Sequence, residues 1–188
     1  MKAFLVALVL VVGITTSAVA VETWRTDSFV PIRQATYQID MGDGTCSAVA
    51  VAKRLLLTAK HCVDLSDMRL TQKKARTFTL DGVIKVNDDG IDLGTAKVLR
   101  VSDAADLALI ETSFDLYSIA VGETPPRDSY AYVVGYPMGV GEFVTMGLVQ
   151  LVQDGVIFTS ALVIFGNSGG GLFVFQDGRY VLVGIASF

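Results

Sequence analysis

Short runs of β-forming residues, punctuated by glycine-bearing turns, fill the chain from Ser28 onward. Residues 29–39 carry β-formers in partial alternation and predict a strand. Residues 46–57 read CSAVAVAKRLLL, long enough for one bent strand or two. Residues 76–80 alternate polar and apolar before a turn at Asp81-Gly82, and residues 87–90 offer another turn. Short apolar strands are expected at 96–101 and 107–110. Pro125-Pro126 then breaks the pattern, placing a linker at 118–127. Beyond it, five further strands are expected at 130–134, 143–152, 156–160, 172–175 and 180–186. Turns fall at 135–141, Asp154-Gly155 and Asp177-Gly178. The last, between FVFQ and RYVLVGI, is the clearest hairpin signal in the chain.

No segment holds a helical period beyond a turn or two at 60–65. The pattern predicts an all-β protein in two halves, 21–120 and 121–188. Strands this short and regular close into barrels or sandwiches.

The first twenty residues belong to neither half. Lys2 gives a short positive start, residues 3–12 form an apolar run, and Ala18-Val19-Ala20 supplies the small residues of a cleavage site. This is the pattern of a signal peptide, with removal near Ala20. The apolar run falls well short of the ~20 residues that span a bilayer. The expected address is secreted or periplasmic, without stable membrane association once 1–20 is removed. Such a compartment lets Cys46 and Cys62 pair.

Composition narrows the class further. Of 188 residues, 52% are hydrophobic and 18% charged, which excludes a disordered or low-complexity chain. The net charge is −4. It gives no basic face for nucleic acid, and no nucleic-acid partner is expected. One histidine and two cysteines cannot complete a four-ligand zinc site, so no metal or cofactor is expected. The acidic cluster at 88–92 lacks the spacing and glutamate of a calcium loop and reads as solvated turn residues.

Three local patterns carry chemistry: LTAKHC at 57–62, DLALI at 106–110 and GNSGGGL at 166–172. Ser168 sits among glycines, which allow a backbone open to a substrate carbonyl with amide groups aimed at a developing oxyanion. Its bland alternative is a turn serine bonded to backbone. His61 is the chain's single histidine, the residue type suited to general-base work near neutral pH. It sits at the end of an apolar strand, beside Cys62. Asp106 enters an apolar strand, where an unpaired carboxylate is costly, and an imidazole N–H is a suitable partner. Asp103 is the reserve candidate.

Taken in the order His, Asp, Ser, the three patterns resemble those of chymotrypsin-type serine proteases, from about Gly44 to the end of the chain. The resemblance implies two antiparallel six-stranded Greek-key barrels. It implies Ser168 as nucleophile, His61 as base then acid, and Asp106 as its orienting carboxylate. The N–H groups of Gly166 and Ser168 would form the oxyanion hole, and Cys46–Cys62 a family disulfide. Polypeptides are the implied substrates. By the trypsin-like pattern, Leu162 takes the pocket-floor position, which implies preference for small or apolar residues. Ser187 and Phe188 take the positions that flank the substrate backbone.

Departures from the family pattern qualify this. Asn167 stands where zymogen-activated members carry an aspartate that pairs with a new N-terminal ammonium, so the site is expected to form without an activation cut. GNSGG and GYPMGVG at 135–141 resemble the bacterial high-temperature-requirement branch and viral relatives more than digestive trypsins. Only five strand candidates follow the linker where the family has six, and no C-terminal helix follows. The expectation is a truncated sequence or a minimal variant, with an open edge in the second barrel. A catalytically silent protease-fold binder and a viral or phage polyprotein-processing protease stand as alternatives. The pattern leaves the oligomeric state open.

Overall fold

A computed structural model describes residues 29–41, 44–63, 83–88 and 91–187. The signal-peptide reading of 1–20, the strand expected at 76–80, the turn at Asp81-Gly82 and Phe188 lie outside these residues.

Eleven strands are present among the described residues. A short helix, α1 (Val30–Gln34), precedes β1 (Thr36–Asp40), β2 (Thr45–Ala52) and β3 (Leu55–Ala59). Then come β4 (Val83–Asp88), β5 (Ile91–Ser102) and β6 (Leu107–Thr112). After an extended segment come β7 (Tyr130–Gly135), β8 (Phe143–Gln153), β9 (Val156–Thr159), β10 (Gly171–Gln176) and β11 (Arg179–Ile185).

The strand expected across 29–39 is therefore a helical turn followed by a strand. Pro31 fits the first turn of a helix, where a missing N–H costs nothing. The Thr36 hydroxyl donates to the Ile32 carbonyl at 2.8 Å, closing the helix as the strand begins. The sequence reading of 46–57 as one or two strands resolves into two, paired with a bulge near Ala50.

The first six strands form a closed barrel in the order β1-β2-β3-β6-β5-β4, and β4 returns to pair with β1. With β4 beside β1, the first four strands make the Greek-key order. Inward positions of β6 follow the two-residue alternation: Ala108, Ile110 and Thr112 are buried. Ala108 and Ile110 pack with Ile39, Ala48 and Leu56 to fill the barrel.

The last five strands form one antiparallel sheet in the order β11-β10-β7-β8-β9. Strand β10 returns to lie beside β7, a second Greek key. Val133, Val149, Leu172 and Val174 form its core. This sheet has five strands, with β9 and β11 at its edges among the described residues. Both Asp-Gly hairpins are as the sequence predicts. Asp154 and Gly155 have φ of 52° and 79°, and Asp177 and Gly178 have 49° and 79°. Positive φ at both central residues is the turn whose twist matches paired strands.

Candidate active site

Strands β3 and β6 run antiparallel, with Ala59 opposite Leu107. That register sets the end of β3 against the start of β6, and His61 and Asp106 lie just beyond those two positions. Past Ala59 the chain turns through a short 3₁₀ segment, Lys60–Cys62. Asp106 enters β6 with φ 46°, the left-handed region that aspartate tolerates better than most residues. Its backbone carbonyl accepts from Lys60 N–H at 3.0 Å. Its Oδ1 accepts from the His61 N–H at 3.1 Å, and its Oδ2 lies 2.8 Å from His61 Nδ1. One carboxylate thus caps the turn and fixes the imidazole. With Nδ1–H donating to the carboxylate, the free lone pair is on Nε2, facing away from Asp106.

Asp103 takes a different part. It pairs with Lys60 Nζ at 2.8 Å, and its side chain is 86% exposed. Of the two candidate aspartates, Asp106 is the one that meets His61.

Burial raises the Asp106 carboxyl. Hydrogen bonds from the Ser187 hydroxyl and then from His61 outweigh it and hold the carboxyl below the ordinary 3.8. The Ser187 bond reaches Oδ2 at 2.5 Å. The family resemblance implies a place for Ser187 beside the substrate backbone. Its hydroxyl is on Asp106, 81 positions away, and no local signal in the sequence announces that link.

Cys62, next to His61, is bonded to Cys46, with Cα atoms 6.0 Å apart. Cys46, Cys62 and His61 bring three ligand-type atoms within 4.8 Å of one another. The sulfurs are spent on each other, so this group leaves one nitrogen for a metal, too few to hold one.

Ser168 stands in the glycine-rich turn before β10 and is 6% exposed. Its carbonyl accepts from Ser47 N–H at 2.7 Å, and Cys62 Sγ lies 3.6 Å from the same oxygen. Gly169 N–H donates to Ala186 O, and Ala186 N–H to Gly170 O, both at 2.8 Å. Ala186 precedes Ser187, whose hydroxyl returns to Asp106. A closed circuit of contacts therefore joins the Ser168 turn to His61 and Asp106. No hydrogen bond joins the His61 ring to the Ser168 hydroxyl among the described residues. Such bonds are often long in unliganded sites and tighten on the substrate complex.

The glycines here answer to space as well as φ. Gly166 has φ 93°, and a Cβ on it would collide with the Tyr136 carbonyl and Met138 N. Gly169 has φ 83°, and its Cβ would strike the Ser47 carbonyl and the Thr58 hydroxyl. Asn167 is 2% exposed, and its Oδ1 has no hydrogen-bond partner among the described residues. Leu162 is 60% exposed and its carbonyl accepts from the Thr145 hydroxyl at 2.8 Å. It offers open apolar surface rather than an enclosed floor.

The chain matches the family described as trypsin-like peptidase domain over residues 44–185, and it belongs to that family. Its structural neighbours include proteases of the HtrA type. It is similar to HtrA-type protease AlgW, solved with a tripeptide, at TM-score 0.64 and 26% identity over 84% of this chain and 52% of that one. It is similar to the serine endoprotease from Yersinia pestis at TM-score 0.63 and 21% identity, over 84% and 54% of the two chains. With the protein Rv3671c from M. tuberculosis, in an inactive form, it shares TM-score 0.65 and 15% identity over 86% and 78%. The chain thus spans about half the length of the first two of these structures. No curated protein is significantly similar to it in sequence. No described helix is long and apolar enough to cross a membrane.

Proposed function

We propose that the chain is a secreted or periplasmic serine endopeptidase that hydrolyses peptide bonds through an acyl-enzyme. The observation that carries this reading is the double hydrogen bond from His61 to Asp106, linked through Ser187 and the disulfide to the Ser168 turn. Residues 21–120 contribute the base and its carboxylate, and residues 121–188 contribute the nucleophile.

In this reading His61 Nε2 takes the Ser168 hydroxyl proton as Oγ attacks the scissile carbonyl. Asp106 keeps Nδ1 protonated and balances the imidazolium that forms. The N–H groups of Gly166 and Ser168 meet the oxyanion. The imidazolium then protonates the leaving amine, and the C–N bond breaks. Water, deprotonated by the same nitrogen, attacks the ester, and the proton returns to Ser168 as the acid leaves. An oxyanion donor of this kind is worth ~3 kcal/mol of barrier.

The uncharged apolar stretch at 161–163, in which Leu162 is exposed while Ala161 is buried in the core, supports a preference for small or apolar residues before the cut. Digesting a peptide library with the full chain tests this. Cuts after small or apolar residues, absent with Ser168→Ala, are expected. A profile dominated by Arg or Lys overturns the specificity, and no cutting by either protein overturns the endopeptidase. The lack of a hydrogen bond from the His61 ring to the Ser168 hydroxyl among the described residues favours one rival, a fold member that binds peptide without turnover. That rival predicts binding by both proteins and cutting by neither.

A further inference from the structure

We infer that Ser47 is a positioning residue that holds the oxyanion-binding loop in its working shape. The inference rests on the serine-protease reading above and goes beyond it. Ser47 lies on β2 in the barrel and is fully buried, and its N–H, carbonyl and hydroxyl together make four hydrogen bonds. Its hydroxyl donates to Gly166 O at 2.7 Å and accepts from Tyr136 N–H at 2.9 Å. Its N–H donates to Ser168 O at 2.7 Å, and its carbonyl accepts from the Thr58 hydroxyl at 2.7 Å. Two of these four bonds end on the two residues that supply the proposed oxyanion donors.

Peptide geometry gives these bonds their consequence. In a trans peptide the N–H points opposite the carbonyl of the preceding residue. The Gly166 N–H is therefore aimed by the Phe165 carbonyl, which Met138 N–H holds at 2.8 Å. The Ser168 N–H is aimed by the Asn167 carbonyl, which Gly170 N–H holds at 2.7 Å. Between those planes lies the Gly166–Asn167 peptide, and its carbonyl is the one the Ser47 hydroxyl holds. A glycine at φ 93° has no Cβ to bar rotation, so hydrogen bonds must hold its neighbouring planes: the Asn167 N–H donates to Ile164 O at 3.0 Å on one edge of the Gly166–Asn167 peptide, and the Ser47 hydroxyl holds the carbonyl on the other. The same hydroxyl takes the Tyr136 N–H, tying the loop to the turn that carries Met138. Neither the Gly166 nor the Ser168 N–H donates to a backbone carbonyl among the described residues. Ser47 thus fixes the frame in which both point.

The test is Ser47→Ala in the full chain, with Ser47→Cys as a second variant that keeps the shape and weakens the hydrogen bonds. Three quantities are read well below the melting temperature: kcat and KM on a cleaved peptide, and the affinity of a peptide boronate whose tetrahedral adduct places an oxygen in the hole. We expect kcat to fall about 10- to 100-fold in Ser47→Ala with KM little changed. Boronate affinity should fall by a similar factor, and Ser47→Cys should lie between. Unchanged kcat and boronate affinity in a variant that merely melts earlier would overturn the inference. If Ser47→Ala does not fold, an unaltered kcat and boronate affinity in Ser47→Cys overturns it equally. Failure of the unaltered protein to cut peptide or bind the boronate would strike the protease reading instead.

Discussion

Ser187 donates its hydroxyl to the same oxygen of Asp106, Oδ2, that holds the His61 ring. The carboxylate is shared between the base it orients and a serine from the segment that follows β11. Two donors on one oxygen leave the carboxylate little freedom to rotate. They also bind the end of the second sheet to the mouth of the first barrel.

Removing the shared donor has a signed consequence. Asp106 is held below its ordinary 3.8, so its ionisation stabilises the fold fully above that value. The contribution is lost as pH falls through the lowered value. In Ser187→Ala the carboxyl titrates higher, which a carbon-13 NMR titration reads directly. Its melting temperature should trail the unaltered protein most above pH 3.8, and the gap should narrow below it. A pH-independent gap with an unmoved titration contradicts this account.

Exchanging the two candidate aspartates separates their parts. Asp106→Asn should reduce kcat by about 10⁴-fold, because the amide cannot hold the Nδ1–H tautomer. Asp103→Asn removes an exposed partner of Lys60 and should leave kcat within about twofold, as exposed ion pairs contribute little. Equal losses in the two variants would contradict the assignment.

Buried Asn167 has no room for a charge. Asn167→Asp should lower stability near neutral pH by roughly 2 kcal/mol or more, because its buried Oδ1 has no donor. The loss should shrink in acid, where the new carboxyl is protonated. Full activity is expected once 1–20 is removed, with no further N-terminal cut. A stabilised Asn167→Asp, or a second cut needed before turnover, counts against this.

Much of this was legible in local sequence. Both Asp-Gly hairpins, the 3₁₀ turn at His61 and the five strands after the linker follow from turn chemistry and alternation within a few residues. Strand β4 has no clear local signal, because Val83–Asp88 lies between two turn signals and ends in Asn87-Asp88. Strand β5 begins five residues before the expected Ala96, because Gly94 and Thr95 interrupt its apolar run. The three chemical motifs were readable because each is contiguous. The bonds that assemble them were not. Ser187 reaches Asp106 across 81 positions and Ser47 reaches Gly166 across 119. Such contacts are settled by barrel closure and sheet register, which no single segment encodes.

The disulfide closes 16 positions between β2 and the His61 turn. Its loss in a Cys46→Ala, Cys62→Ala double variant should cost about 3 kcal/mol of stability. Denaturant unfolding measures it. A difference under about 1 kcal/mol would contradict this expectation.

The central claim, that Ser168 is a nucleophile activated by His61, is tested most directly by reaction with a peptidyl phosphonate followed by intact-protein mass measurement. A single covalent adduct on Ser168 is predicted, formed at full rate by the signal-processed chain, slowed sharply in His61→Ala and absent in Ser168→Ala. No adduct on the folded chain, or one that persists unchanged in Ser168→Ala, would contradict it.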